Sequence, residues 1–530
     1  MQHKEVSPDD EPRPVVGSTS ESLAKISSAA ESGSQAPGTL TATALAESAW
    51  TDGFRAIPAR SASGVANTLA DHFRCADNLA EFVVSGNLSA NPGYFRIGGD
   101  TICHGHCSSG TPANRATDIL HDAAEHIRYA NSSVQLPFDA AKLIEDLRYE
   151  RYLPDSAVDK DALPANSFIR SMYYLLRPLL PVKVRRHLQK LYFDRRGHLP
   201  FPVWPVDRTV ENLLERLLML SMKAQKVDRM PFIWFWPDGA PSCAMMTHDV
   251  ETTAGVDFCG TLMDINDAFG IKSSFQVVPE NRYEVPPAFL DSIRARGFEV
   301  NVHDLNHDGH LFADRDEFLR RAARINEYGS RFQARGFRSA VLYRNVPWHE
   351  ELDFSYDMSV PNVAHYDPQK GGCCTVFPFF AGKILELPVT ATQDYTLFNI
   401  FEDYTIKLWE QQISSLRESH GLMSFIVHPD YIIEPKPRAV YVALLEHLAE
   451  LRSRGETWIA LPGEVASWWR TRHNLKLVRS GESWRIDGQG HERARVAYAT
   501  LDGDRLVYSV AQPDHNSALE MSESAVEVAN

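Results

Sequence analysis

The chain has 530 residues, 44% of them hydrophobic and 23% charged, with a formal net charge of −15 at neutral pH. That length exceeds what a single core usually serves, so two or three substructures are expected. The acidic balance argues against nucleic acid as a partner, and the sequence holds no apolar run long enough for a transmembrane segment. Seven scattered cysteines read as reduced thiols, not a disulfide framework. With no basic start and apolar run at the N-terminus, they give a cytoplasmic expectation.

Residues 1–60 are rich in Ser, Ala, Glu and Pro and poor in aromatics, which predicts a disordered tail. Residues 61–237 read as a helical N-terminal subdomain. Asn91 to Asp100 is a turn-rich loop with one short strand. Cys103-His-Gly-His-Cys107 offers four ligand types in five residues, but such close neighbours cannot easily converge on one ion and no second cluster follows at finger spacing. A surface loop is expected there. Helical periodicity follows in Ala113–Tyr129, Phe138–Arg151, Ser167–Phe193 and Arg208–Met222. The aromatic run Phe232-Ile-Trp-Phe-Trp-Pro237 reads as a buried strand or strap against the main domain.

From 243 strands and helices alternate. Strands are expected at Cys243–Thr247, Ser273–Val278, Phe298–Val302, Gly336–Ser339, Ser355–Val360, Lys383–Pro388, Leu422–Val427 and Thr457–Leu461. Helices are expected at Val256–Phe269, Pro287–Arg296, Arg315–Ala334, Glu402–Glu418 and Ala439–Arg454. Such alternation argues for parallel strands with crossover helices. It predicts an α/β fold, an irregular (β/α)7-type barrel over 238–470. In barrels functional residues stand where strands end, and Asp249, Glu251, His303, Arg338 and His428 all fall there. Residues 471–511 read as a small antiparallel β appendage, with a hairpin turn at Asp502-Gly503, and 512–530 as a second disordered tail.

The chemistry concentrates between Cys243 and Leu311. His303 and His307 are four apart, so one helical turn puts both imidazoles on one side. A carboxylate from the first strand end then completes a two-His, one-carboxylate metal set with positions left open. Asp249 and Glu251, two apart on a strand end, point into one cavity.

At these residues the sequence resembles the polysaccharide deacetylase (NodB-homology) family, carbohydrate esterase family 4, over roughly Asp238 to Trp469. Thr247-His-Asp-Val-Glu251 stands for the first motif, His303-Asp-Leu-Asn-His307 for the second and Phe337-Arg-Ser-Ala-Val341 for the third. Tyr356-Asp-Met-Ser359 stands for the fourth and Phe425-Ile-Val-His-Pro-Asp430 for the fifth. Val250 occupies the place of the family's second Asp, making Asp249-Val-Glu251 a D-x-E counterpart of a D-x-D variant. Ala340 replaces a usual Pro.

The resemblance implies a metal-dependent hydrolase that removes an N-acetyl group from a carbohydrate or related amide. It implies Asp249 as general base, and Glu251, His303 and His307 as ligands of one divalent ion, zinc first, with Co2+, Ni2+ or Mn2+ as alternatives. Arg338 would orient Asp249 and keep it ionised, and His428 would be the general acid, tuned by Asp430 or Asp357. His310, Asp304 and Asp308 are expected in supporting or capping roles. Arg344 and His349 face either the substrate or a salt-bridged surface loop, and Cys373 and Cys374 are buried structural thiols. Two other readings remain: a non-catalytic glycan-binding relative, and a glycoside hydrolase using Asp249 with Asp357 or Asp394. The oligomeric state is left open.

Overall fold

The structure is a computed structural model that describes residues 63–153 and 199–511, apart from positions 77 and 100. The tails expected at 1–60 and 512–530 and the helix expected over Ser167–Phe193 lie outside the described residues. No helix among the described residues is long and apolar enough to cross a membrane.

The described residues before 237 are mixed, not purely helical. Helices Ser63–Phe73, Ala140–Arg148 and Thr209–Gln225 accompany strands β1 (Glu81–Val84), β2 (Gly93–Arg96), β3 (Ile102–Gly105), β4 (Arg128–Ala130) and β5 (Ser133–Leu136). The sheet order is β1-β5-β4, and β2 and β3 form an antiparallel pair. Asp139 caps the second helix by accepting from Lys142 N–H at 3.0 Å, as an N-cap carboxylate does. The helix expected over Ala113–Tyr129 does not form. Tyr94 and Ala113 exchange both backbone hydrogen bonds, and Arg96 N–H donates to the His121 carbonyl. The β2 edge thus binds backbone groups that a helix would use internally, and tertiary pairing overrides local propensity. Only the turn Ala123–His126 remains, and Ile119 is fully exposed. Cys103-His-Gly-His-Cys107 is no surface loop: its first part is β3, with Cys103 and Cys107 buried.

After β6 (Arg229–Ile233) comes the main sheet. It contains β7 (Cys243–Val250), β8 (Ser274–Val277), β9 (Glu299–His303), β10 (Gly336–Arg338), β11 (Tyr356–Asp357), β12 (Phe379–Ala381), β13 (Ile384–Glu386), β14 (Leu422–Ile426) and β15 (Trp458–Ile459). The order is β12-β13-β11-β10-β9-β8-β7-β14, with β15 also pairing β7. Every pairing is parallel except β12 with β13. All eight residues of β7 are buried, which is why it reads as a continuous apolar run; parallel strands are covered on both faces. The intervening helices are Thr253–Ala268, Pro287–Ala295, Arg315–Arg331, Lys407–Glu418 and Pro435–Ser453, with Pro462–Asn474 after β15. Thr252 and Asp314 cap two of them through Gly255 N–H and Glu317 N–H. The expected strands and crossover helices are therefore all present. Strand β12 was not expected; its signal is the two-residue turn Gly382-Lys383, with Gly382 at φ +59°, where glycine alone is unstrained.

The sheet curls. Ala391 N–H donates to the Ser424 carbonyl at 3.1 Å, and Ser424 N–H to Thr390 Oγ1 at 2.9 Å. The chain leaving β13 is thus drawn against β14 at the opposite edge.

The last strands are β16 (Lys476–Ser480), β17 (Ser483–Asp487), β18 (Val496–Asp502) and β19 (Arg505–Val510). They form two hairpins, with Gly503 at φ +64° in the second turn. Strand β6 joins this second hairpin, Phe232 lying opposite Ala497, so the aromatic run begins as a strand and continues past it as the buried strap Trp234-Phe235-Trp236. Buried Arg472 fastens it further: its guanidinium donates to the carbonyls of Ile233, Trp234 and His72.

Candidate metal centre

Four strand ends and one connecting segment converge on one point. The end of β7 carries Asp249, and Glu251 follows one residue past the strand. His303 closes β9 and Arg338 closes β10, the two being directly paired. His428 stands two residues beyond β14. The connecting segment is the chain beyond β13, which delivers Asp394.

Glu251 Oε1 lies 2.8 Å from His307 Nε2, 3.6 Å from His303 Nε2 and 3.3 Å from His428 Nε2. His303 Nδ1 sits 3.1 Å from the Arg338 carbonyl. A carbonyl only accepts, so the ring proton sits on Nδ1 and leaves the Nε2 lone pair facing Glu251. The Nε2 atoms of both His303 and His307 are buried with no hydrogen-bond partner, and the 2.8 Å contact to Glu251 falls outside hydrogen-bond geometry. One ligand atom each from Glu251, His303 and His307 lies within 4.8 Å of the others. Tetrahedral ligands at about 2.0–2.1 Å from a zinc-class ion stand roughly 3.4 Å apart, and the separations around Glu251 bracket that value. The set fits a divalent cation. Arg282 Nη2 donates to His307 Nδ1 at 2.9 Å, and that bond must yield when Nε2 becomes a ligand.

The helical turn expected between the two histidines is absent. His303 ends a strand and His307 lies in a loop, where Asp304, His307 and Gly309 have φ of 56°, 56° and 76°. Left-handed residues fold the loop back so that the imidazole centroids stand 4.8 Å apart. Asp304 holds the turn by accepting from Leu305 and Ala340 N–H.

Asp249 stands beside this group. Its Oδ1 accepts from Arg338 Nη1 at 2.7 Å, and its Oδ2 lies 3.8 Å from His303 Nε2. Burial alone would raise the Asp249 carboxyl, but the Arg338 guanidinium, with His303 and His428, outweighs it and holds the group below its ordinary value. Arg338 is itself fully buried and donates to Thr247 Oγ1 and the Met358 carbonyl.

His428 is held by Asp394, not by Asp430 or Asp357. Asp394 Oδ1 accepts from His428 Nδ1 and Oδ2 from His428 N–H, both at 2.7 Å. Burial would lower this imidazole, but Asp394 and Glu251 on its two sides raise it well above its ordinary value. The Tyr431 ring covers it at 4.6 Å between centroids. Asp394 lies well past the end of β13 at Glu386, so no local sequence signal marked it as the partner of His428.

The remaining candidates fall elsewhere. His310 is 70% exposed and near Asp308 alone, while Asp308 binds Arg321 and His310 N–H. Arg344 is buried in a two-pronged pair with Glu150, not on a surface loop or facing a substrate. His349 is fully buried beside Asp357. Asp357 and Asp394 are fully buried and committed to other partners, so neither faces Asp249 across a sugar-sized gap. Cys373 and Cys374 are buried, and burial pushes both thiols well above their ordinary range, which leaves them inert.

No family model and no curated protein matches the chain. Solved structures match part of it. A polysaccharide deacetylase from Mycobacterium smegmatis is 21% identical, covering 47% of this chain and 98% of its own, with a TM-score of 0.36. Puue allantoinase is 15% identical, covering 44% and 92%, with a TM-score of 0.34. A family 4 acetyl xylan esterase from Clostridium thermocellum, solved with a cobalt ion, is 14% identical, covering 43% and 91%, with a TM-score of 0.28. Polysaccharide deacetylases, the family that the motifs resemble, are thus among the similar structures. The matched part is less than half of this chain.

Proposed function

We propose that the chain is a metal-dependent hydrolase that removes an N-acetyl group from a carbohydrate or related amide, on a sheet curled into an irregular (β/α)7-type barrel. The observation that carries this reading is the convergence of Glu251, His303 and His307, whose imidazole Nε2 atoms have no hydrogen-bond partner, beside Asp249 held by Arg338 and His428 held by Asp394. Glu251, His303 and His307 hold the ion. A divalent cation bound there supplies a Lewis acid for the carbonyl and lowers the pKa of a water.

Asp249 is kept ionised by Arg338, and its Oδ2, which makes no bond to Arg338, takes the proton of the attacking water. His428 is kept protonated between Asp394 and Glu251, and its Nε2–H delivers the proton to the departing nitrogen. Arg338 and Asp394 position these two groups. The test is acetate release from N-acetylated oligosaccharides by metal-loaded protein, its loss on chelation and its return when zinc or cobalt is added back. Failure of metal-loaded protein to release acetate from any such substrate would move the glycan-binding reading to the front.

A further inference from the structure

We propose that His349, Asp357 and Glu386 form a second divalent-cation site, sealed in the protein interior, with a structural role. The three come from separate elements. His349 lies in the 3-10 turn Val346–Glu351, Asp357 ends β11 and Glu386 ends β13. Asp357 and Glu386 are direct partners in the parallel pairing of those strands, so both carboxylates leave the sheet on the same side. His349 meets them from the turn above, its Nδ1 lying 3.5 Å from Asp357 Oδ2. One ligand atom from each of the three lies within 4.8 Å of the other two.

All three side chains are fully buried. Neither nitrogen of His349 has a hydrogen-bond partner, and neither has Glu386 Oε2. Buried polar groups are normally satisfied, and a buried imidazole with two orphaned nitrogens needs an explanation. The atoms that are satisfied hold the carboxylates in place: Ser359 donates to both Asp357 oxygens, and Val360 N–H donates to Glu386 Oε1.

Charge points the same way. The nearby cation Arg344 is already neutralised by both oxygens of Glu150. Two buried carboxyl groups therefore share an enclosed pocket with no unpaired cation beside them among the described residues, and buried acids are hydrogen-bonded, paired or coordinate a metal. One divalent ion cancels both carboxylates and takes the imidazole lone pair. The 3.5 Å separation of His349 Nδ1 and Asp357 Oδ2 is close to the roughly 3.4 Å edge of a tetrahedron with ligands at about 2.0–2.1 Å. One nitrogen with carboxylate oxygens suits zinc or manganese. A carboxylate binding through both oxygens fills the fourth position. All three side chains have no solvent exposure, so the site offers no face to a substrate. The ion would pin the turn after β10 to the β11–β13 edge.

Metal counting on the full chain, folded in zinc-supplemented medium and dialysed, tests the site. Wild-type protein should hold two equivalents per chain. The double variant His303→Ala/His307→Ala, which removes the first centre, should keep one. Adding His349→Gln or Glu386→Gln to it should leave none. Should those last variants fail to fold, the double variant alone decides, since its single equivalent should give the absorption of tetrahedral cobalt on exchange. No metal in the folded double variant would overturn the proposal and make the cluster a proton-sharing one. Two equivalents retained in the double variant would instead contradict the first centre, so the two readings fail separately.

Discussion

Two clusters of the same chemical type sit in one curled sheet, and they differ in access. Glu251, His303 and His307 gather at strand C-terminal ends, with Glu251 17% exposed and His428 and Asp249 on either side. His349, Asp357 and Glu386 have no exposure and no proton-transfer group oriented toward them among the described residues. Ligand type alone therefore does not mark a catalytic centre. The first cluster has a partly exposed carboxylate, Glu251, and two flanking groups each held by a dedicated partner: Arg338 for Asp249 and Asp394 for His428. The second has only supports. In the first cluster a substitution should cost turnover, and in the second it should cost stability.

The largest effect is expected at Asp249. Asp249→Asn removes the proton acceptor but leaves Glu251 and both imidazoles, so kcat should fall by about 10²–10⁴-fold with metal content unchanged. Loss of metal in that variant would make Asp249 a ligand and erase the division of labour between Asp249 and Glu251. A smaller effect is expected at Asp394. Asp394→Asn keeps an oxygen for His428 but removes the charge that holds its proton, and kcat should fall by about 10–100-fold, with KM little changed. His428→Ala should lower kcat further and also keep the metal. The smallest effect sharpens the other side of the comparison. Glu386→Ala leaves His349 and Asp357 buried without their neighbour, and should cost about 1–3 kcal/mol in denaturant unfolding while the first centre keeps its ion.

Much of this was legible in the sequence, for a physical reason. Parallel strands covered on both faces are apolar throughout, and they end abruptly at chemistry. The runs ending at Asp249, His303, Arg338 and His428 were therefore readable as strands and as a site together. Pairings across long sequence separations were not. Asp394 lies 34 residues before His428, in the helical turn that leads into Thr396–Ile400, and nothing local links the two. The cluster of His349, Asp357 and Glu386 exists only because β11 and β13 are neighbours. The misreading at Ala113–Tyr129 has the same origin: helical spacing was present, but the β2 edge took the backbone bonds. The spacing of His303 and His307 gave the right proximity through the wrong geometry, since a left-handed loop brings the rings together where a helix was expected.

The central claim is that Glu251, with His303 and His307, holds the ion on which hydrolysis depends. Zinc binding to Glu251→Ala, measured beside wild type and Asp249→Asn, tests it most directly. The account predicts that Glu251→Ala loses the equivalent of zinc that the first centre holds, and with it acetate release, while Asp249→Asn keeps that zinc and loses only turnover. A Glu251→Ala protein that binds the full complement of zinc and still releases acetate would contradict it.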